Sequence, residues 1–330
     1  MKKNYLLIFL LMFTYGCYAQ NKTSQTVLSV EKVSSTKWNS PDGIAYKQVP
    51  GANLGAMSFE ILTNNRIAFL CNSSSEIVIV NNADGKRIKN FPVAFAPRDF
   101  SYDKNKFYVL TEYKIDVYDE SGKTINSFDF NRKYVGVERI ARYNNSTYLI
   151  LPSGNSLLVE SNNQSVEPKE IAGCITSLGN QVTIKQSGIS NYMVTLISPT
   201  GSKVENSYQT DKKVAGVFVI GTTINRLILD VQTYLSENPI KVERKIVSIE
   251  INKTSLGKIV SEINVPNVYY VLSNKDFSLS SNGTVYNMVT APEGIFVYSL
   301  TESKSGNGYP NFLTDRAYHF NDHLIRTEDK

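Results

Sequence analysis

Cysteine, histidine and tryptophan are nearly missing from this chain: three, two and one among 330 residues. So few thiol and imidazole groups exclude a zinc cluster of the usual Cys/His spacing. They also exclude a catalytic centre built from several histidines, because His319 and His323 both lie close to the C-terminus. The pair is spaced i, i+4, but no Glu follows the first His, so the metalloprotease motif is absent and the segment reads as a solvated tail. After residue 20 no apolar run reaches the roughly 18 residues that span a bilayer as a helix. An excess of one charge is lacking as well. Formal net charge is +5, and two of those charges, Lys2 and Lys3, sit in a leader that export would remove. The remaining +3 is too weak to imply a nucleic-acid partner. There is no nucleophile elbow of the G-x-S-x-G type, no phosphate-binding glycine loop and no D-x-D-x-D-G calcium loop. Gly and Pro, at 19 and 11, are ordinary counts, and 42% hydrophobic content excludes a disordered chain.

What is present begins with a leader. Lys2 and Lys3 precede an apolar stretch from Tyr5 to Phe13, and Cys17-Tyr18-Ala19 offers a small-x-small cleavage site before Gln20. Residues 1–19 are therefore expected to be a signal peptide, placing the mature protein in the periplasm, on the cell surface or outside the cell. An alternative follows from Cys17: lipidation there would anchor the protein to a membrane. The preceding Thr14-Tyr15-Gly16 fits that alternative poorly, because Tyr15 is bulky. Cleavage leaves Cys71 and Cys174, which export would allow to pair. They fall in different repeats, and two small buried residues is the favoured reading.

The rest of the chain is dominated by short alternating runs such as Glu76-Ile77-Val78-Ile79-Val80, Lys106-Phe107-Tyr108-Val109-Leu110 and Lys114-Ile115-Asp116-Val117-Tyr118. Rich in Val, Ile, Tyr and Phe, they suit half-buried strands. No later stretch carries a capped helical period. Tight turns recur between the runs. Asn82-Ala83-Asp84-Gly85-Lys86 and Glu120-Ser121-Gly122-Lys123 lie 37 residues apart, Gly to Gly, and Pro199-Thr200-Gly201-Ser202-Lys203 comes 79 residues further on. Ser161-Asn162-Asn163 marks the turn between them, Leu256-Gly257-Lys258 a fifth and Ser303-Lys304-Ser305-Gly306 a sixth. The strands beginning at Arg66, Lys106 and Ser146 step by 40. The long gap before Gly257 is read as a polar loop at 233–244, a partner-specific element.

A unit of about 40 residues and four strands cannot bury both faces of its small sheet alone, whereas stacking in a ring does so. The predicted fold is all-β: a single β-propeller of six four-stranded antiparallel blades, with seven as the alternative count. Residues 52–305 hold the blades, 20–51 an N-terminal segment with a possible ring-closing strand at Thr26-Val27-Leu28-Ser29-Val30, and 306–330 a tail. The stretch from Pro97 through Gly122 resembles a blade of the six-bladed NHL-like propellers, with Pro97-Arg98-Asp99-Phe100, a Tyr-Val second strand, an Ile-x-Val-Tyr third strand and the Asp-x-x-Gly-Lys hairpin. That resemblance implies a fold and leaves function open, because such propellers serve as lyases, lactonases, receptors and scaffolds.

Candidate site residues follow from the repeat. Arg98-Asp99, Glu138-Arg139 and Lys275-Asp276 sit near the starts of inner strands, at the mouth of the channel. Three carboxylates there could hold Ca²⁺, which takes oxygen ligands, or do acid/base work on a glycoside. The competing reading is that each acid pairs with a base of a neighbouring blade. No metal or other cofactor is called for by the sequence beyond that Ca²⁺ option. The expectation is a secreted, non-catalytic module that binds an envelope or extracellular protein or glycan, with no nucleic acid, and a membrane only through Cys17. The alternative is an enzyme acting on a carbohydrate or lactone through channel carboxylates.

Overall fold

The computed structural model describes residues 27–313 apart from 64, 131–135, 138, 163, 281 and 304–305. Cys17, Glu138, His319 and His323 lie outside the described residues. The chain is a six-bladed β-propeller, each blade a four-stranded antiparallel sheet. It opens with β1 (Val27–Thr36) and a small hairpin of β2 (Lys47–Val49) and β3 (Ala52–Leu54). Blade 1 is β4 (Ala56–Leu62), β5 (Arg66–Cys71), β6 (Glu76–Asn81) and β7 (Arg87–Pro92). Blade 2 is β8 (Asp99–Asp103), β9 (Lys106–Leu110), β10 (Lys114–Asp119) and β11 (Thr124–Asp129). Blade 3 is β12 (Arg139–Tyr143), β13 (Ser146–Ile150), β14 (Ser156–Ser161) and β15 (Gln164–Ile171). Blade 4 is β16 (Cys174–Ile175), β17 (Gln181–Gln186), β18 (Asn191–Ile197) and β19 (Lys203–Gln209). Blade 5 is β20 (Val214–Thr222), β21 (Arg226–Glu237), β22 (Ile240–Ile251) and β23 (Leu256–Val265). Blade 6 takes β24 (Phe277–Leu279), β25 (Val285–Ala291) and β26 (Gly294–Ser303) from one end of the chain and β1 from the other. β1 runs antiparallel along β26, Leu28 opposite Glu302 and Thr36 opposite Ile295. The ring is thus closed by hydrogen bonds between β1 and β26, and the expected sixth turn, Ser303-Lys304-Ser305-Gly306, includes two positions outside the described residues.

Position in the blade explains the polarity of each strand. Middle strands are covered on both faces by neighbouring blades, so β5 and β6 bury Ile67, Ala68, Phe69, Leu70 and Ile77, Val78, Ile79, Val80 in unbroken runs. Outer strands are covered little, and β15 has no fully buried residue. The core is a series of apolar clusters between adjacent blades. Phe59, Phe69 and Val78 join blade 1 to Ile295 and Val297 of blade 6. On the other side of blade 1, Ile77 and Phe91 meet Phe100 and Phe107 of blade 2. Burying one such aromatic contributes about 1.5–3 kcal/mol. The seam of blades 3 and 4 carries hydrogen bonds: Ile175 N–H donates to Ser156 Oγ (2.8 Å) and Gly173 N–H to Asn155 Oδ1 (3.0 Å).

The Gly-Lys turns that reveal the repeat also lock it. Those at Gly85 and Gly122 join the third and fourth strands of their blades and reach back onto the outer strand of the blade before, whereas Gly201 has nothing within 4 Å and Gly257 lies within β23. Gly85 lies on Ser35 of β1 and Gly122 on Phe91 of β7, so close that a Cβ would sit 2.0 Å from Ser35 O and 2.4 Å from Phe91 Cβ. Both glycines also hold positive φ, +68° and +85°, a region that disfavours a side chain. Gly257 serves the same seam between blades 4 and 5 through its carbonyl, which accepts from Tyr208 Oη at 2.9 Å.

Residues 233–244, expected as a loop, are strand. They extend β21 and β22 as a two-stranded ribbon, with Thr233 opposite Glu243 and Tyr234 opposite Val242. The sequence there is polar because most of the ribbon lies beyond the covering strands. Leu235 and Ile240 near its tip are exposed.

Candidate functional site

The six inner strands, β4, β8, β12, β16, β20 and β24, surround the channel. At one end of it lie the hairpins from each inner strand to the next. Three of these are tight turns with consecutive or single residues at positive φ: Asn65 (58°), Lys104 and Asn105 (50° and 63°), Asn144 and Asn145 (48° and 59°). Asn tolerates that conformation better than other side chains. A cavity of about 1310 Å³ opens at this end, lined by all six inner strands and their hairpins. Its rim carries amides and hydroxyls, among them Asn145, Ser177, Asn225 and Asn282, and Tyr102 and Tyr143 also line it. Leu178 and Ile224 are exposed apolar residues on the same rim.

At the opposite end the segment before β24 is laid across the channel. Asn274 N–H donates to Met57 O (2.8 Å) and its side-chain amide to Arg98 O (2.9 Å). Lys275, itself buried, then reaches into the ring. Its ammonium donates to Glu60 Oε1 (2.9 Å) of blade 1 and Phe100 O (2.6 Å) of blade 2, and lies 3.2 Å from Asp99 Oδ1. Asp99 Oδ2 accepts from Ile140 N–H of blade 3 (2.9 Å). One lysine therefore ties three blades to a fourth. Burial alone would push its pKa down, but the attraction of Asp99 and Glu60 outweighs burial and holds it above the ordinary lysine value.

Asp276 occupies the corresponding place in blade 6 but faces blade 5. Arg244 Nη1 donates to Asp276 Oδ2 and Arg244 Nη2 to Asp230 Oδ2, each at 2.7 Å, and Tyr269 Oη completes the cluster. Burial opposes the charge on Arg244, yet the two carboxylates keep its pKa well above normal. A third buried cation, Arg142, joins blades 2 and 3. It bonds Glu160 and lies 3.9 Å above the Tyr108 ring.

Of the six residues singled out in the sequence, the fold brings Asp99 and Lys275 into direct contact and sets Arg139 on the cavity wall nearby. Asp276 belongs to the separate Arg244 cluster, and Arg98 caps Val137 O (3.1 Å) at the channel end, 3.8 Å from Glu112. Glu138 lies outside the described residues. Asp99 and Asp276 thus do not share a site. Between Glu60 and Asp99, where a bridging cation would sit, the chain places its own ammonium. Among the described residues no group of three or more His, Cys, Asp or Glu is placed to hold a metal. Cys71 and Cys174 are free and buried, in blades 1 and 4. Sequence reasoning missed Glu60, Arg142 and Arg244, each of which has at least one partner in another repeat: Lys275, Asp103 and Asp276 respectively. It also missed the hairpin rim, although Asn64-Asn65, Lys104-Asn105 and Asn144-Asn145 recur at the same 40-residue step.

No family model matches the chain, and no curated protein does. Solved propellers do resemble it. The Neurospora crassa Pan2 WD40 domain is 11% identical with a TM-score of 0.51, over 84% of this chain and 96% of that one. A streptogramin B lyase is 10% identical (TM-score 0.43; 83% and 98%). Hydrazine synthase of Kuenenia stuttgartiensis is 13% identical (TM-score 0.49; 74% and 76%). At such identities the likeness is one of fold, consistent with the resemblance to NHL-like propellers read from the sequence.

Proposed function

We propose that this propeller is a binding module of the cell envelope or exterior, taking a glycan or protein ligand on the mouth ringed by the inner-strand hairpins. The observation that carries this reading is the state of the acids on the cavity wall. Among the described residues all three are ion-paired: Glu60 with Lys275 (2.9 Å), Asp103 with Arg142 (3.6 Å) and Glu302 with Arg226 (3.1 Å). Each of these acids is thus engaged by a cation of the chain itself, so the described wall presents no pair of unengaged carboxylates of the kind that flanks a scissile glycosidic bond. It does offer a concave surface of hydrogen-bonding groups set on a rigid ring. The leader expected at residues 1–19 supports an exported ligand.

The test is a glycan array and a panel of glycosides and lactones, applied to the chain beginning at Gln20, with and without Ca²⁺, with products followed by mass spectrometry. Retention of a ligand whose mass is unchanged after long incubation supports a binding module. Turnover that disappears in Asp99→Asn would overturn it in favour of a channel-carboxylate enzyme. Fractionation of cells expressing the full chain, with sequencing of the mature N-terminus, tests export and separates cleavage before Gln20 from lipidation at Cys17.

A further inference from the structure

We infer that the cavity takes an acidic saccharide, its carboxylate on the Arg139 guanidinium and its oxygens on the amide and hydroxyl rim. The inference rests on the binding-module reading and goes further by naming the ligand chemistry. It starts from an imbalance on the cavity wall. Arg142, Arg226 and Lys275 each have a carboxylate within 4 Å. Arg139 has none among the described residues. Its one polar contact there is with Val219 O across the ring, long at 3.5 Å. A guanidinium carries five N–H donors in a fixed fork, so most of those of Arg139 are unengaged.

Its surroundings favour an incoming anion. Lys275 is close enough that the two positive charges oppose each other. The acids that could relieve this, Glu60 and Asp99, are already bound to the ammonium. A ligand carboxylate can meet the guanidinium with two parallel hydrogen bonds, the geometry in which Arg is most selective.

The rim then indicates what the carboxylate is attached to. Asn145 Oδ1 accepts from Lys104 Nζ (2.5 Å), Asn225 Oδ1 from Thr223 Oγ1 (3.2 Å), and Asn282 Oδ1 from Ser280 Oγ (2.5 Å) and Thr284 N–H (3.1 Å). In each amide the oxygen is engaged by its own or a neighbouring hairpin, which leaves the N–H₂ group to donate. Three such donors around one mouth suit a ligand dense in oxygen. At about 1310 Å³ the cavity exceeds the ~300–1,000 Å³ of pockets for single small molecules, which favours an oligomer. A peptide C-terminus would supply the carboxylate too, but among the described residues its side chains would find two exposed large apolar partners on this rim, Leu178 and Ile224.

Calorimetric titration with three probes tests this: oligogalacturonate, oligoalginate and hyaluronan fragments, each beside its carboxyl-reduced counterpart. At least one acid oligomer is expected to bind ten-fold or more tightly than its reduced form, and less tightly at higher salt. Arg139→Gln is expected to abolish that difference and Arg139→Lys to keep part of it. Should Arg139→Gln fail to fold, Asn225→Asp and Asn282→Asp serve instead. They lie on exposed turns, and a new negative charge there should weaken the acid oligomer ten-fold while sparing the reduced one. Failure of all three acids to bind, equal affinity for acid and reduced forms, or Arg139-dependent capture of a C-terminal peptide carboxylate in their place would overturn the inference. The outcomes separate the two levels. Arg139-independent binding of a neutral glycan overturns the acidic ligand alone, whereas cleavage of a probe overturns the binding-module reading beneath it.

Discussion

Lys275→Met tests how the ring is held. The lysine is 8% exposed and lies 2.9 Å from Glu60 and 3.2 Å from Asp99, and Asp99 is wholly buried. Methionine keeps the length and apolar stem but removes the charge, leaving two carboxylates facing each other without a cation. Removing one partner of a buried ion pair costs about 3–5 kcal/mol, because the remaining charge is stranded. At about 2–3 °C per kcal/mol for a domain of this size, the midpoint of thermal unfolding should fall by roughly 6–15 °C. The pH dependence has a defined sign. In the variant, burial without a cation raises the folded-state pKa of the two acids, so protonating them relieves the defect. The gap from the parent protein should therefore narrow as pH falls from 7 toward the unfolded carboxylate range near 4. In the parent protein the lysine's pKa is itself raised. Its contribution is complete below the unfolded lysine value and is lost only as pH rises through the folded one. Adding Glu60→Gln and Asp99→Asn to Lys275→Met should restore much of the loss. The measurement is scanning calorimetry between pH 4 and 8. A single variant melting within about 1 °C of the parent, with a pH-independent difference, would refute the claim that this cluster fastens the blades.

Two other expectations are open to simple assays. Gly122→Ala places a Cβ 2.4 Å from Phe91 at φ +85°, whereas Gly201→Ala has the same φ and nothing within 4 Å. The left-handed conformation costs both about 1–2 kcal/mol and overpacking adds about 1–3 kcal/mol to the first alone, so in urea Gly122→Ala should unfold well before Gly201→Ala; equal midpoints would contradict the docking of the turn on the preceding blade. Burial, followed by the hydrogen bond with Glu120, pushes the Tyr102 hydroxyl up to about 12, and burial does the same for Tyr208. Both should stay protonated in the native protein when exposed tyrosines ionise near 10. Their contribution to stability is complete below pH 10 and falls as pH rises toward 12, which absorbance at 295 nm during alkaline titration follows directly.

The sequence by itself determined the architecture. Strand identity lies in local alternation, and blade number lies in the spacing of the turns marked by Gly85, Gly122, Asn162 and Gly201, because each tight turn between third and fourth strands needs a residue that tolerates positive φ. Even the ring-closing strand was legible, in the run that holds Val27, Leu28, Ser29 and Val30. The tertiary structure alone decided the site. Asp99 and Asp276 look alike along the chain, each beside a base and before Phe-Ser, yet one meets Lys275 and the other Arg244, because the neighbouring blades differ. Glu60 and Lys275 touch across 215 residues, a relation that no periodicity encodes. The polar stretch at 233–244 could not be told from a loop, since an uncovered ribbon buries as little as a loop does. Whether a charge is engaged or free depends on atoms brought from other repeats. Arg142 meets Asp103 of blade 2 as well as Glu160 of its own blade, whereas Arg139, three positions away on the same strand, reaches no carboxylate among the described residues.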